Sequence, residues 1–139
     1  MTSVSPRLDQ VSERLAQGQT SAVQLAEQVL EHATQGEGPR VFTRLLREQA
    51  LAEARARDVL RAAGLARSPL EGLPISVKDL FDIAGHPTLG GSRLLADAAP
   101  ATQTAEVVQR LRRAGAVIVG TTNMTEFAYS GLGLNPHYG

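Results

Sequence analysis

Residues 103–120 read QTAEVVQRLRRAGAVIVG, and this stretch decides the fold class. Apolar residues at helical spacing predict a helix over 103–114 with Val107, Val108 and Leu111 turned inward. Gly115 ends the helix. Residues 116–120, AVIVG, then form an apolar run of the kind buried on both faces. A helix, a glycine and an all-apolar strand in that order predict an α/β fold with a parallel or mixed sheet.

Working outward, the segment upstream supplies a second strand. SPLEGLP is a loop with two prolines and a glycine, and ISVKD after it is short and β-branched. Alternation puts Ile75 and Val77 on one face and Ser76 and Lys78 on the other. HPTLGGS reads as a further extended, glycine-rich piece. Downstream, TTNMTEFAYSGLGLNPHYG predicts a helical turn and then a glycine-rich loop.

The first half reads as helical. Ser5 can cap a helix with Pro6 at its first position. Leu8, Val11 and Leu15 share its inner face, and Gly18 stops it. Ser21 and Gln24 have capping-box spacing for a second helix, with Val23, Ala26, Val29, Leu30 and Ala33 as its apolar side. After Gly36, Gly38 and Pro39, an extended Val41–Phe42 leads to a third helix that is capped by Thr43 and runs to Gly64. Glu48, Arg55, Asp58 and Arg61 on that helix are expected to face water.

Bulk composition narrows the classes of function. The 139 residues suit one domain or part of a larger one, and 42% hydrophobic residues are enough for a core. Fourteen basic and fourteen acidic side chains cancel, so nothing in the charge points to nucleic acid or an anionic membrane as a partner. With no cysteine there is no disulfide, thiolate metal site or cysteine nucleophile. The N-terminus lacks a signal-peptide core and no apolar run has membrane-spanning length, which sets the cytoplasm as the expected compartment.

Most catalytic templates fail. A phosphate-binding GxxxxGK[ST] loop is absent, and Gly131 and Gly133 lack the third glycine of a dinucleotide fingerprint. His32, His86 and His137 are far apart without ligand spacing; a helix surface is expected for the first and solvated loops for the others, and no metal or organic cofactor is expected. Ser92 in GGSR has no base nearby in sequence and reads as a turn residue. Asp79 is expected to cap a turn or pair with a cation. One residue stands apart: Lys78 is the only lysine among 14 basic side chains. A guanidinium cannot act as a base, whereas an amine can lose its proton.

The runs GLPISVKDLFDIAGHPTLGGS and LRRAGAVIVGTTNMTEFAYSGLGLNPHYG resemble the N-terminal part of the amidase signature family. That family hydrolyses amides with a serine–serine–lysine triad and includes the amidase subunit of glutamyl-tRNA amidotransferase. The resemblance spans roughly residues 6–139 and is strongest from Gly72 onward. It implies an α/β/α fold with a mixed sheet, incomplete at the C-terminus: a helical lead-in over 6–64 and the start of the sheet region over 72–139, all within one domain covering 1–139. Lys78 falls on the family's lysine, the base that acts through a second serine on the nucleophile. Burial among Ile75, Val77 and Leu80 is the expected means of keeping its amine uncharged. Ala128, Tyr129 and Ser130 are expected to line the acyl side of the substrate site. Two departures, Thr104 where relatives often carry an acidic cap and Thr121 where many carry lysine, leave the mechanism untouched.

In the family, both serines and the oxyanion hole follow the position of NPHYG, where this chain ends. The reading implies an amide hydrolase of which this chain supplies the lysine but not the nucleophile, silent by itself. Its rivals are a truncated, non-catalytic partner-binding module, one half of a split amidase, or part of the amidase subunit of a glutamyl-tRNA amidotransferase. The expected partner is a small amide. Strand edges left open by truncation imply marginal stability, homodimerisation or a complementing chain.

Overall fold

The structure, a computed structural model, describes residues 6–139. The Ser5 cap lies outside the described residues. The first helix, α1, spans Leu8–Ala16, and Pro6 precedes it rather than opening it. The Gln10 side chain accepts from the Arg7 N–H at 3.0 Å. Helix α2, Ala22–His32, begins with the expected capping box: the Ser21 hydroxyl accepts from the Gln24 N–H, and the Gln24 side chain from the Ser21 N–H.

A four-residue helical turn, α3 (Gly38–Val41), leads into strand β1 (Phe42–Leu45) and helix α4 (Arg47–Ala62). Thr43 is therefore a strand residue and not a helix cap. Its hydroxyl shares a 2.9 Å hydrogen bond with that of Thr121. On α4, Glu48 and Arg55 are exposed as expected, but Asp58 and Arg61 are half-buried. The Asp58 carboxylate accepts from the N–H groups of Ala22 and Val23 at 2.7 and 3.1 Å, an anion at the N-terminus of α2. The Arg61 guanidinium donates to the Glu71 carbonyl.

Strand β2 is Pro74–Lys78, helix α5 is Glu106–Arg113 and strand β3 is Val117–Thr122. The order is β1-β3-β2, with β3 antiparallel to β1 and parallel to β2. The sheet is mixed, one of the two kinds, parallel or mixed, that the helix–glycine–strand pattern predicts. HPTLGGS adds no strand; it closes a loop through turns. Thr104 does not cap α5: Ala105 holds that position, and the Thr104 hydroxyl accepts from the Ala84 N–H instead. Val107 is exposed, leaving Val108 as the buried residue of α5.

The sheet separates two packed layers. On one side Val117 and Val119 meet Ala22, Ala26 and Leu30 of α2 and Ala50 and Ala54 of α4. On the other, Ile118 and Val77 pack with Leu46, Ile83 and Val108, with Ile75 against them. The alanines on α2 and α4 let both helices lie close to the strand, which removes apolar surface from water at about 25 cal/mol per Å². A charged cluster binds α4 to the α5–β3 corner. Glu71, fully buried, faces Arg57 at 3.6 Å, and Arg112 faces Glu53 at 3.1 Å. Gly115 turns that corner at φ +101°, and a Cβ there would lie 2.8 Å from the Glu71 Cα.

Candidate functional site

Lys78 and Thr122 are register partners at the carboxyl ends of the adjacent parallel strands β2 and β3. Loops that leave such ends form the usual crevice of an open α/β sheet. Here two loops do so, residues 79–92 and 123–139, and each is tied to the strands and to the other.

Asp79 anchors the first loop. Its N–H donates to the Thr122 carbonyl at 3.1 Å, its carbonyl accepts from the Gly90 N–H at 3.0 Å, and its Oδ1 accepts from the Leu89 N–H at 3.2 Å. The turn-capping role expected of it is present. The side chain is 1% exposed, and Oδ2 has no hydrogen-bond partner among the described residues. Burial pushes its carboxyl above the usual carboxylate range, against the opposing pull of the Leu89 N–H, Thr43 and the Arg44 charge.

Asn135 anchors the second loop. Its Nδ2 donates to the carbonyls of Gly91 (2.6 Å) and Met124 (2.7 Å), and its Oδ1 accepts from the N–H groups of His137 (2.8 Å) and Tyr138 (3.1 Å). All four capacities of this buried amide are used. Gly91, at φ +69°, makes the approach possible; a Cβ would lie 2.6 Å from the Met124 carbonyl oxygen. Sequence reading passed over Asn135, although Asn-Pro after a glycine-rich stretch is a turn signal.

Ser92 is fully buried and caps a short turn, Arg93–Leu95, by accepting from the Leu94 N–H. Its hydroxyl donates to Glu126 Oε1 at 2.6 Å. His137 Nε2 lies 3.5 Å from the same oxygen, so this histidine is half-buried rather than solvated. His86 is also half-buried, and burial, followed by the charges of Arg44 and Arg112, lowers its basicity. Nothing in the sequence marked Glu126 beforehand.

The turn Glu126–Ala128 is strained. Phe127 and Ala128 take φ +51° and +58°, a region that costs non-glycine residues about 1–3 kcal/mol each. Of the expected acyl-side residues, Ala128 ends this turn and Tyr129 and Ser130 follow it; all three are exposed. A cleft of about 350 Å³ beside them is lined by Thr125, Glu126, Phe127, Tyr129, Leu134 and Pro136.

The expectation that fails concerns the surroundings of Lys78. Lys78 is exposed, and Leu80 is 44% exposed instead of packed over it. Ile75 and Val77 do turn inward, but onto the face opposite Ser76 and Lys78. The same alternation that buries Val77 carries Lys78 outward, and no described element covers that end of β2. Among the described residues no cluster of three or more His, Asp or Glu side chains could hold a metal ion, and no helix is long and apolar enough to cross a membrane.

The amidase family model matches residues 23–139. This chain belongs to the amidase signature family. Over 131 residues it is 46% identical to AtzE, a 1-carboxybiuret hydrolase subunit of Pseudomonas sp. (strain ADP), covering 94% of this chain and 29% of that protein. It is 45% identical over 115 residues to a glutamyl-tRNA(Gln) amidotransferase subunit from Chloroflexus aggregans, covering 82% of this chain and 23% of the relative. Among solved structures, the native peptide amidase of Stenotrophomonas maltophilia superposes with a TM-score of 0.82 at 32% identity, over 91% of this chain and 26% of the other. A chain from a vestigial complex that bears on the origins of an s-triazine catabolic enzyme superposes at 0.90 with 44% identity, over 96% of this chain and 30% of that one. The family member described here thus spans under a third of the length of these relatives, and its α/β architecture is that of their N-terminal part.

Proposed function

We propose that this chain is the lysine-bearing N-terminal part of an amide hydrolase of the serine–serine–lysine type. The observation that carries the reading is the placement of Lys78 beside Thr122 at the carboxyl ends of two parallel strands, where two mutually anchored loops meet. In the proposed reaction a serine oxygen attacks the amide carbon and its proton passes through a second serine to the Lys78 amine. The C–N bond breaks as that proton returns to the departing nitrogen, and water then hydrolyses the acyl-enzyme by the same relay. Ala128, Tyr129 and Ser130 flank the acyl group.

The base must be uncharged to accept the proton, and the exposure of Lys78 supports the view that further polypeptide has to cover it. That same exposure favours a second reading, one half of a split amidase completed by another chain. The relatives named above include subunits of larger assemblies. Neither serine of the triad has a counterpart in these 139 residues, so the chain by itself is expected to hydrolyse no simple amide.

The test is Lys78→Arg and Lys78→Ala in the completed enzyme, assayed on a simple amide. Both should lower kcat by about three orders of magnitude or more. Turnover retained by Lys78→Arg would sink the base assignment. Amide turnover by the isolated chain that vanishes in Lys78→Ala would sink the need for completion.

A further inference from the structure

The pair Phe127–Ala128 holds a conformation that the amidase chemistry alone does not explain. Two consecutive non-glycine residues at positive φ persist only where their surroundings hold them. The holders can be named. The Phe127 N–H donates to the Gly90 carbonyl at 2.8 Å, and the Ala128 N–H to the Thr125 carbonyl at 2.9 Å. The residue just before the strain, Glu126, accepts from the buried Ser92 hydroxyl at 2.6 Å. The Ser92 oxygen accepts from the Leu94 N–H, and its proton goes to the Glu126 carboxylate, which can only accept. A serine donating to a carboxylate at this distance is a charge-assisted bond.

These contacts run in series to Lys78. Gly90 holds Phe127 through its carbonyl and holds Asp79, the neighbour of Lys78, through its N–H. Two residues later, Ser92 holds Glu126. The segment Gly90–Ser92 is therefore a bridge between the strand that bears the lysine and the turn that contains Ala128 and leads into Tyr129 and Ser130.

We propose that Glu126 is a positioning residue. Its carboxylate, latched by Ser92, keeps the Phe127–Ala128 turn in its strained form and so fixes the path of Ala128, Tyr129 and Ser130 relative to Lys78. This deepens the proposed amide-hydrolase reading by assigning what sets the acyl side of the site. His137, 3.5 Å from the same carboxylate oxygen, closes the latch from the second loop.

The test has two arms. In the 139-residue chain, Glu126→Ala and Ser92→Ala should each speed amide hydrogen exchange over residues 127–130 by about tenfold or more, the worth of one charge-assisted hydrogen bond, while β2 and β3 are unmoved. Glu126→Gln keeps an acceptor oxygen for Ser92 and should stay within about threefold of the parent. In the completed enzyme, Glu126→Ala should raise KM for the amide about tenfold with little change in kcat, and Glu126→Gln should recover most of that loss. If exchange over 127–130 is unmoved by both Ser92→Ala and Glu126→Ala, there is no latch. If KM stays at the parent value while only Tm falls, Glu126 is structural and the proposal is overturned. The exchange arm does not depend on Lys78, so a failure of the base assignment and a failure of the latch give different results.

Discussion

Asp79 shows how much one residue can join through its backbone and its side chain together. It links β3, the Leu89–Gly90 turn and the strand end that carries Lys78, and it does so as a buried acid with one oxygen unpartnered among the described residues. Its carboxyl is raised from an ordinary 3.8, so the folded chain holds the proton more tightly than the unfolded chain does. The stability tied to this group is full below 3.8 and is lost as pH rises through the raised folded value. Asp79→Asn keeps an oxygen for the Leu89 N–H and removes the buried charge. The Tm of this variant should therefore gain on the parent as pH is raised from about 4 to 7. A Tm difference that is flat with pH would show that folding does not raise the Asp79 carboxyl. Asp79 and Ser92 were legible as turn residues, because glycine-rich neighbours announce turns. Their burial was not, because it comes from contacts with residues 34 to 43 positions away in sequence, such as Thr122 and Glu126.

At the scale of elements, local pattern carried furthest where one face is packed on a core. PISVK became the strand Pro74–Lys78, and AVIVG the core of Val117–Thr122. The capping box at Ser21 was equally legible, being confined to four residues. Thr43 misled because a threonine before a helical run has the chemistry of a cap, yet it lies within β1, at the irregularity between Phe42 and Arg44, and spends its hydroxyl on that of Thr121. Val107 misled because α5 buries a narrower stripe than its apolar spacing allows. The corner between α5 and β3 yields a prediction of its own. Gly115→Ala would place a methyl group against Glu71 at a φ that alanine resists, and should cost about 2–3 kcal/mol of stability by chemical denaturation. A loss under about 0.5 kcal/mol would mean that Glu71 moves aside freely.

At the scale of the molecule, a three-strand sheet with helices on both faces is closed along β3 but open beyond β2, where Ser76 and Lys78 face outward. Leu132 and Leu134 in the second loop are 79% and 73% exposed. Surfaces of this kind are normally covered. The isolated chain is therefore expected either to pair with itself, giving a Tm that rises with concentration, or to melt well below about 45 °C. A dilute monomer with a cooperative transition inside the usual mesophile range would contradict this. The open strand also carries its own guard during synthesis. It begins with Pro74, which offers no N–H, and ends with Lys78, whose charge resists being stacked against a stranger. A stray strand meeting the nascent chain finds only a short sticky interval between those two residues, so the amine proposed for chemistry also discourages clumping.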